Sequence, residues 1–260
     1  MNFKSLVKMS LKIILFSGVV IACGCWLRAA VGKEYFLADA ANLGWIIGVI
    51  GTIYTLIAAF VLFGVWNQYN ALDDLIAREA RLLAELWNYT DYFNDPRLDK
   101  QMKASLLAYI DAVQKEEVGI LAKNMPVENY SQELIAINEV IDKIKFDDDR
   151  DATIFPVMIA LYRDLFEVRH QRNTAGVTRL PISVKVLFIV LSVALIFNSI
   201  ILGFVNGLMY IFGLAFVVVV VALTYEVVQD MDNPFGGLFE LKPTAFEEAK
   251  KYIKETKHNI

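Results

Sequence analysis

Histidine and cysteine are nearly missing from these 260 residues, with two of each. His170 and His258 have no Cys or carboxylate at a helical ligand spacing, so no zinc site is expected. Cys23 and Cys25, one residue apart, could not close a disulfide without severe strain. A Gly-rich phosphate loop, a nucleophile motif and a carboxylate in the middle of an apolar run are missing too, so no catalytic residues, no metal, no cofactor and no enzyme are expected. Basic excess is also lacking: the net charge is −4, which excludes a nucleic-acid partner.

Charge is scarce in four long stretches, and 57% of the chain is apolar with a mean hydropathy of +0.46. A soluble domain of this length could not hide so much, so part of the solvent is membrane lipid. The first run goes from Ile13 to about Leu27 and can extend to Val31. It also fits a secretory signal cleaved at Cys23, but the spans that follow favour a retained helix. Leu43 to Val65 is long enough to cross the hydrocarbon layer, with Trp45 and Trp66 at its ends. Val186 to Gly203 and Leu208 to Val228 are joined by a short Asn206-Gly207 turn, so these two helices must be neighbours.

Lys4, Lys8 and Lys12 precede the first run, Arg78 and Arg81 follow the second, and Arg169, Arg172, Arg179 and Lys185 precede the third. Arg28 and Lys33 are the only basic residues in the outer loops. N-terminus, central region and C-terminus are therefore assigned to the cytoplasm. The organisation expected is a first transmembrane pair over 1–66, a cytoplasmic helical domain over 67–182, a second pair over 183–230 and a cytoplasmic segment over 231–260.

Within the central region, Tyr69, Leu72, Ile76, Ala80, Leu83 and Trp87 recur at helical spacing, so the second span is expected to run on as one long helix. Asn94-Asp95-Pro96 ends it. Three further helices are marked by Met102 to Ile120, Leu134 to Ile144 and Ile154 to Val168, with Arg172 to Pro181 as connector. Pro243 to Ile253 reads as an amphipathic helix lying on the domain or on the membrane surface.

Four polar groups have competing readings. The run from Asp147 to Asp151 is a solvated turn capping the next helix rather than a cation loop. Asn198 and Ser199 are expected to hydrogen-bond between helices, with a polar path as the alternative. Glu226, Asp230 and Asp232 are boundary acids that reach water rather than an ion site. Gly44, Gly48, Gly51, Thr52 and Thr55 crowd the second span, where they allow close helix approach or else line a pore.

Trp66-Asn67-Gln68-Tyr69 at the exit of the second span and Asn233-Pro234-Phe235-Gly236 after the fourth resemble segments at the same places in bestrophins, the pentameric anion channels. In length and layout the chain is more similar to the prokaryotic bestrophin-like domain family. That likeness is carried by Arg78-Glu79-Ala80, Tyr109 with Glu116-Glu117, Arg169, Arg172, Pro181, and Asp230 and Asp232 before the second motif. The resemblance implies an all-α membrane fold: four transmembrane helices with a helical cytoplasmic insert between the second and third. Carried over in register from Trp66, it puts Gly48, Thr52 and Leu56 at the pore constriction, where only Leu56 is bulky and apolar. Gly237-Leu238-Phe239-Glu240 stands where animal bestrophins carry an acidic calcium-holding run, so calcium gating is not implied.

The expected function is a homo-oligomeric channel, pentameric by resemblance, in a prokaryotic inner membrane. It would pass small ions such as chloride along Gly48, Thr52 and Leu56, with Asn67 and Gln68 at the mouth. The alternative is a non-conducting scaffold or sensor acting through its cytoplasmic helices.

Overall fold

A computed structural model describes residues 3–38, 40–128, 131–145 and 149–256. Asp147, Asp148 and His258 of the sequence reading lie outside the described residues, as do the side chains of Lys4 and Lys33. All regular structure among the described residues is helical: α1 (Phe3–Val31), α2 (Lys33–Ala38), α3 (Ala40–Thr90), α4 (Pro96–Ala112), α5 (Val118–Ala122), α6 (Gln132–Ile141), α7 (Asp149–Val177), α8 (Ile182–Ile201), α9 (Gly207–Met231) and α10 (Thr244–Glu255). Four long helices contain stretches apolar enough to span a membrane, in α1, α3, α8 and α9. The chain divides into two compact units, one over 1–67, 179–232 and 237–239, the other over 68–178, 233–236 and 240–260.

In the first unit, aromatic stacking joins three spans. The Tyr54 ring of α3 stacks on Phe188 of α8 at 5.7 Å, and Phe188 on Tyr225 of α9 at 6.4 Å. Helix α1 meets α9 where Val20, Ile21 and Cys25 pack on Tyr210, Leu214 and Val218. Gly24 makes that approach possible, because a Cβ there would lie 2.5 Å from Tyr210 Oη. Arg28 closes the same end by donating to the Phe204 carbonyl, with its guanidinium 4.8 Å from the Tyr210 ring centre. Asn206 caps α9 by accepting from Leu208 N–H at 2.8 Å, which makes the tight α8–α9 connection expected from the Asn-Gly pair.

The polar residues of α8 behave otherwise than expected. Asn198 Nδ2 donates to Ala194 O and Ser199 Oγ to Leu195 O, each at 2.8 Å. Both bonds lie within the helix rather than between helices, because a carbonyl one turn back is always in reach.

The second unit has an ordinary hydrophobic core, into which α3 sends Leu72, Ile76, Leu83 and Trp87, and α4 sends Met102, Leu106 and Ile110. Asp95 caps α4 by accepting from Arg97 N–H at 2.8 Å, with Pro96 at the first helical position. Helix α10 buries Phe246, Ala249 and Ile253 in this core and packs on α4, so it lies on the domain. Two boundaries differ from the sequence reading. Helix α7 begins at Asp149, so Asp149 and Asp151 form its first turn, and Asp151 is buried rather than solvated. It also runs through Arg172 to Val177, where a connector was expected, because Arg172, Asn173 and Gly176 are packed inward, which offsets the helix cost of Gly176.

Candidate functional site

Residues four apart on a helix share a face, and Gly48, Thr52 and Leu56 of α3 form such a row. All three are exposed, Leu56 at 56%. Nothing in the described chain comes within 4 Å of the position a Cβ would take on Gly44 or Gly48, so these glycines serve no helix contact within the chain. The packing residues of α3 are Tyr54 and Ala58, on a different face, and the close approach expected of the glycines falls to Gly24 of α1. Together with Leu195 of α8 and Phe216 and Val220 of α9, the row lines an open groove of about 850 Å³. Thr52 Oγ1 donates to Gly48 O at 2.9 Å, and Thr55 Oγ1 to Gly51 O at 2.8 Å. With that proton engaged, Thr52 offers the groove oxygen lone pairs and a methyl group. Farther along α3, Trp66 and Asn67 are exposed and Gln68 and Tyr69 half-buried.

At the end of α9 the acidic residues Asp230 and Asp232 act as scaffolding. Asp230 accepts from Leu238 N–H at 2.8 Å and from Phe239 N–H at 2.8 Å. The turn wraps the carboxylate so tightly that a Cβ on Gly237, whose φ is +92°, would lie 2.0 Å from Asp230 Oδ1. Asp232, buried, accepts from Leu180 N–H at 2.7 Å and from Lys185 Nζ at 2.5 Å, tying the start of α8 to the end of α9. Asp232 does not reach out to water as expected, and Asp230, half-buried, spends its carboxylate on the turn. Glu226 pairs with Lys12 at 3.3 Å. In the second unit, Asn233 Nδ2 donates to Ala122 O at 3.2 Å, Pro234 O accepts from Leu241 N–H at 2.7 Å, Gly236 N–H donates to Asn233 O at 3.0 Å, and Phe235 is in the core.

The second unit also buries five polar side chains in one network. Arg172 donates through Nε to Glu79 Oε2 at 2.5 Å and through Nη2 to Glu117 Oε2 at 2.6 Å. Arg169 Nη2 lies 2.6 Å from Glu117 Oε1 and donates to Glu128 O at 3.0 Å. Tyr109 donates to Glu79 Oε1 at 2.5 Å and accepts from Arg169 Nη1 at 3.3 Å. Two arginines meet two glutamates, so the buried charge balances. Burial draws the Arg172 guanidinium down, but the Glu79 and Glu117 carboxylates outweigh it and leave the group above its usual value. Burial, with Glu79 adding to it, pushes the Tyr109 hydroxyl well above its usual range. A π-helical stretch, Val113–Glu117, sets up this geometry. At 100° per residue Tyr109 and Glu117 would sit about 80° apart around a regular helix, and the wider turn brings both to the core side.

The model of the Bestrophin-like domain family matches residues 14–246. The chain belongs to that family. No curated protein matches it by sequence. Its fold is that of bacterial bestrophin homologues: a point variant from Klebsiella pneumoniae superposes with a TM-score of 0.72 at 12% identity, covering 93% of this chain and 97% of the other. A second Klebsiella pneumoniae variant gives 0.71 at 13% identity over the same shares. The crystal structure of a homologue from the same organism, phased with zinc, gives 0.68 at 12% identity over 95% and 97%.

Within this bestrophin-like chain, the sequence reading brought Gly48, Thr52 and Leu56 to one face but missed the pairing of Glu79 and Glu117 with Arg169 and Arg172. Those arginines served as markers of the cytoplasmic side, whereas both are fully buried. A signal was present. Glu79 falls in the apolar series Leu72, Ile76, Leu83, and Arg169 and Arg172 continue the series from Leu165, so each stripe carries a charge that demands an opposite partner.

Proposed function

We propose that the protein assembles as a homo-oligomer, a pentamer by resemblance, and conducts ions passively along an axis lined by Gly48, Thr52 and Leu56, without turnover chemistry. Asn67 and Gln68 stand at the inner mouth, and both termini and the helical insert face the cytoplasm of a prokaryotic inner membrane. The supporting observation is the exposed row on α3, with nothing in the described chain within 4 Å of a Cβ on Gly48 and an open groove beside it. The groove is open on the chain's own surface, so an enclosed path needs further subunits. In such a ring Leu56 forms the dry constriction and Thr52 the polar level above it.

Chloride is the permeant ion that the resemblance suggests. The Thr52 hydroxyl favours a second reading, since its proton is engaged by Gly48 O and its lone pairs suit a cation. Flux from liposomes holding the purified protein under a potassium chloride gradient separates the two by the sign of the reversal potential. Altered flux in Leu56→Ala and loss of flux in Thr52→Trp support an α3-lined path. No flux from a well-folded, inserted oligomer overturns conduction and transfers the function to the helical domain as a scaffold or sensor.

A further inference from the structure

Helices α1, α8 and α9 pack closely at the end that holds Gly24 and Tyr210, and they part toward the end that holds Lys12 and Glu226. There they leave a cleft of about 310 Å³, roughly twice a cavity known to take a benzene ring. Its walls are Ile13 and Phe16 of α1, Ile189 and Val193 of α8, and Val221 and Ala222 of α9. Ser192 also lines it, but its hydroxyl donates to Phe188 O at 2.8 Å, so it asks for no water.

The mouth has a different character. Lys12 Nζ lies 3.3 Å from Glu226 Oε2 while the lysine side chain remains 66% exposed. An ammonium has three donors, so one carboxylate oxygen leaves donor capacity unspent. Lys8 lies one turn earlier on the same face of α1 and is exposed. Helix α1 carries no acidic residue. The Lys12–Glu226 pair therefore stands at the open end of an apolar cleft, with the exposed Lys8 one turn away along α1.

We propose that this cleft binds one acyl chain of an anionic phospholipid, with the lipid phosphate held by Lys12 and Lys8. Charge complementarity selects the occupant: α1 brings two exposed lysines and no acid to this end, and the cleft behind Lys12 is lined mainly by apolar side chains, with Ser192 and Tyr225 as its uncharged polar members. A zwitterionic lipid fills the cleft equally well, but its own ammonium weakens the attraction at the mouth. The inner leaflet, where anionic headgroups gather around juxtamembrane lysines, supplies the ligand in the orientation expected from the basic N-terminus. Binding is read without any flux measurement, so its outcome is independent of whether the chain conducts.

The test is native mass spectrometry of the full-length protein in detergent with equal amounts of phosphatidylglycerol and phosphatidylcholine. One phosphatidylglycerol per chain is expected to be retained in preference. Lys8→Gln and Lys12→Gln should each lower that retention about five-fold without changing phosphatidylcholine retention. Ala222→Phe, which fills the cleft, should abolish it, and Val193→Phe fills it from the opposite wall should the first variant fold poorly by circular dichroism. Equal retention of the two lipids, unchanged retention in the lysine variants, or full retention in a well-folded Phe variant would overturn the proposal. Retention only after subunits dissociate would give the cleft to a second copy of the chain and overturn it likewise.

Discussion

The two units invert each other's rule for what is buried. In the first, Phe216 and Phe212 are about 70% exposed, and within the spans the buried hydroxyls of Ser192 and Ser199 bond their own helix. In the second, Arg169 and Arg172 are sealed from solvent in the same unit whose hydrophobic core holds Leu83 and Met102. A helix in lipid gains nothing by hiding phenylalanine, since acyl chains are as apolar as the protein interior, and it holds its neighbours through small residues and shape. A helix in water is driven to bury leucine. Having done so, it can enclose charge only if every partner is present.

If that contrast is right, charge removal should be most damaging in the second unit. Arg172→Met leaves Glu79 and Glu117 short of a partner and should cost about 3–5 kcal/mol. Denaturant unfolding of the protein in detergent, followed by limited proteolysis to locate the opened region, measures it. Replacing Glu79, Glu117, Arg169 and Arg172 together by apolar residues should recover most of that loss. A quadruple variant no more stable than the single one would mean that the network does more than balance charge.

Gly237→Ala should follow, at about 1–3 kcal/mol, because the turn around Asp230 requires a positive φ and leaves no room for a Cβ. Thermal unfolding would register it, and a shift within about 0.5 kcal/mol would show that the turn can open without cost.

Alkali offers a graded probe of the network. The folded-state pKa of Tyr109 lies above its ordinary value of 10.0, so the stability it contributes is fully present below pH 10 and is lost as pH rises through the folded value. Phenolate absorbance and unfolding should therefore rise together. Tyr109→Phe should remove that alkaline step at some cost in stability at neutral pH, because Glu79 loses a donor.

The smallest effects on stability belong to the exposed row of α3. Leu56→Ala should change the unfolding free energy by less than about 0.5 kcal/mol while altering ion flux. A large destabilisation of the assembled oligomer would instead place Leu56 in a contact between subunits. Lys250→Gln is comparably mild: the Lys250 ammonium holds the Asp111 carboxyl below its usual range, and the stabilisation from that pair fades as pH falls through the lowered value. Acid titration of the variant against the parent would show a small difference confined to low pH.

The amino-acid sequence by itself determined the four spans, the continuous α3 and the amphipathic α4, α6 and α10, because each depends on local hydropathy, periodicity or a capping residue. It also determined that Gly48, Thr52 and Leu56 share a face, since that needs only the pitch of one helix. Tertiary structure alone decided which partner each polar group takes. Nothing local says that Arg172 bridges Glu79 and Glu117 from two other helices, or that a π-helical stretch turns Glu117 inward. Nor does it say that Asp232 meets Lys185 while Asn198 turns back on its own carbonyl. A helical stripe is fixed by bonds along the chain, whereas a buried charge is satisfied by whichever residue the packing brings within about 3 Å.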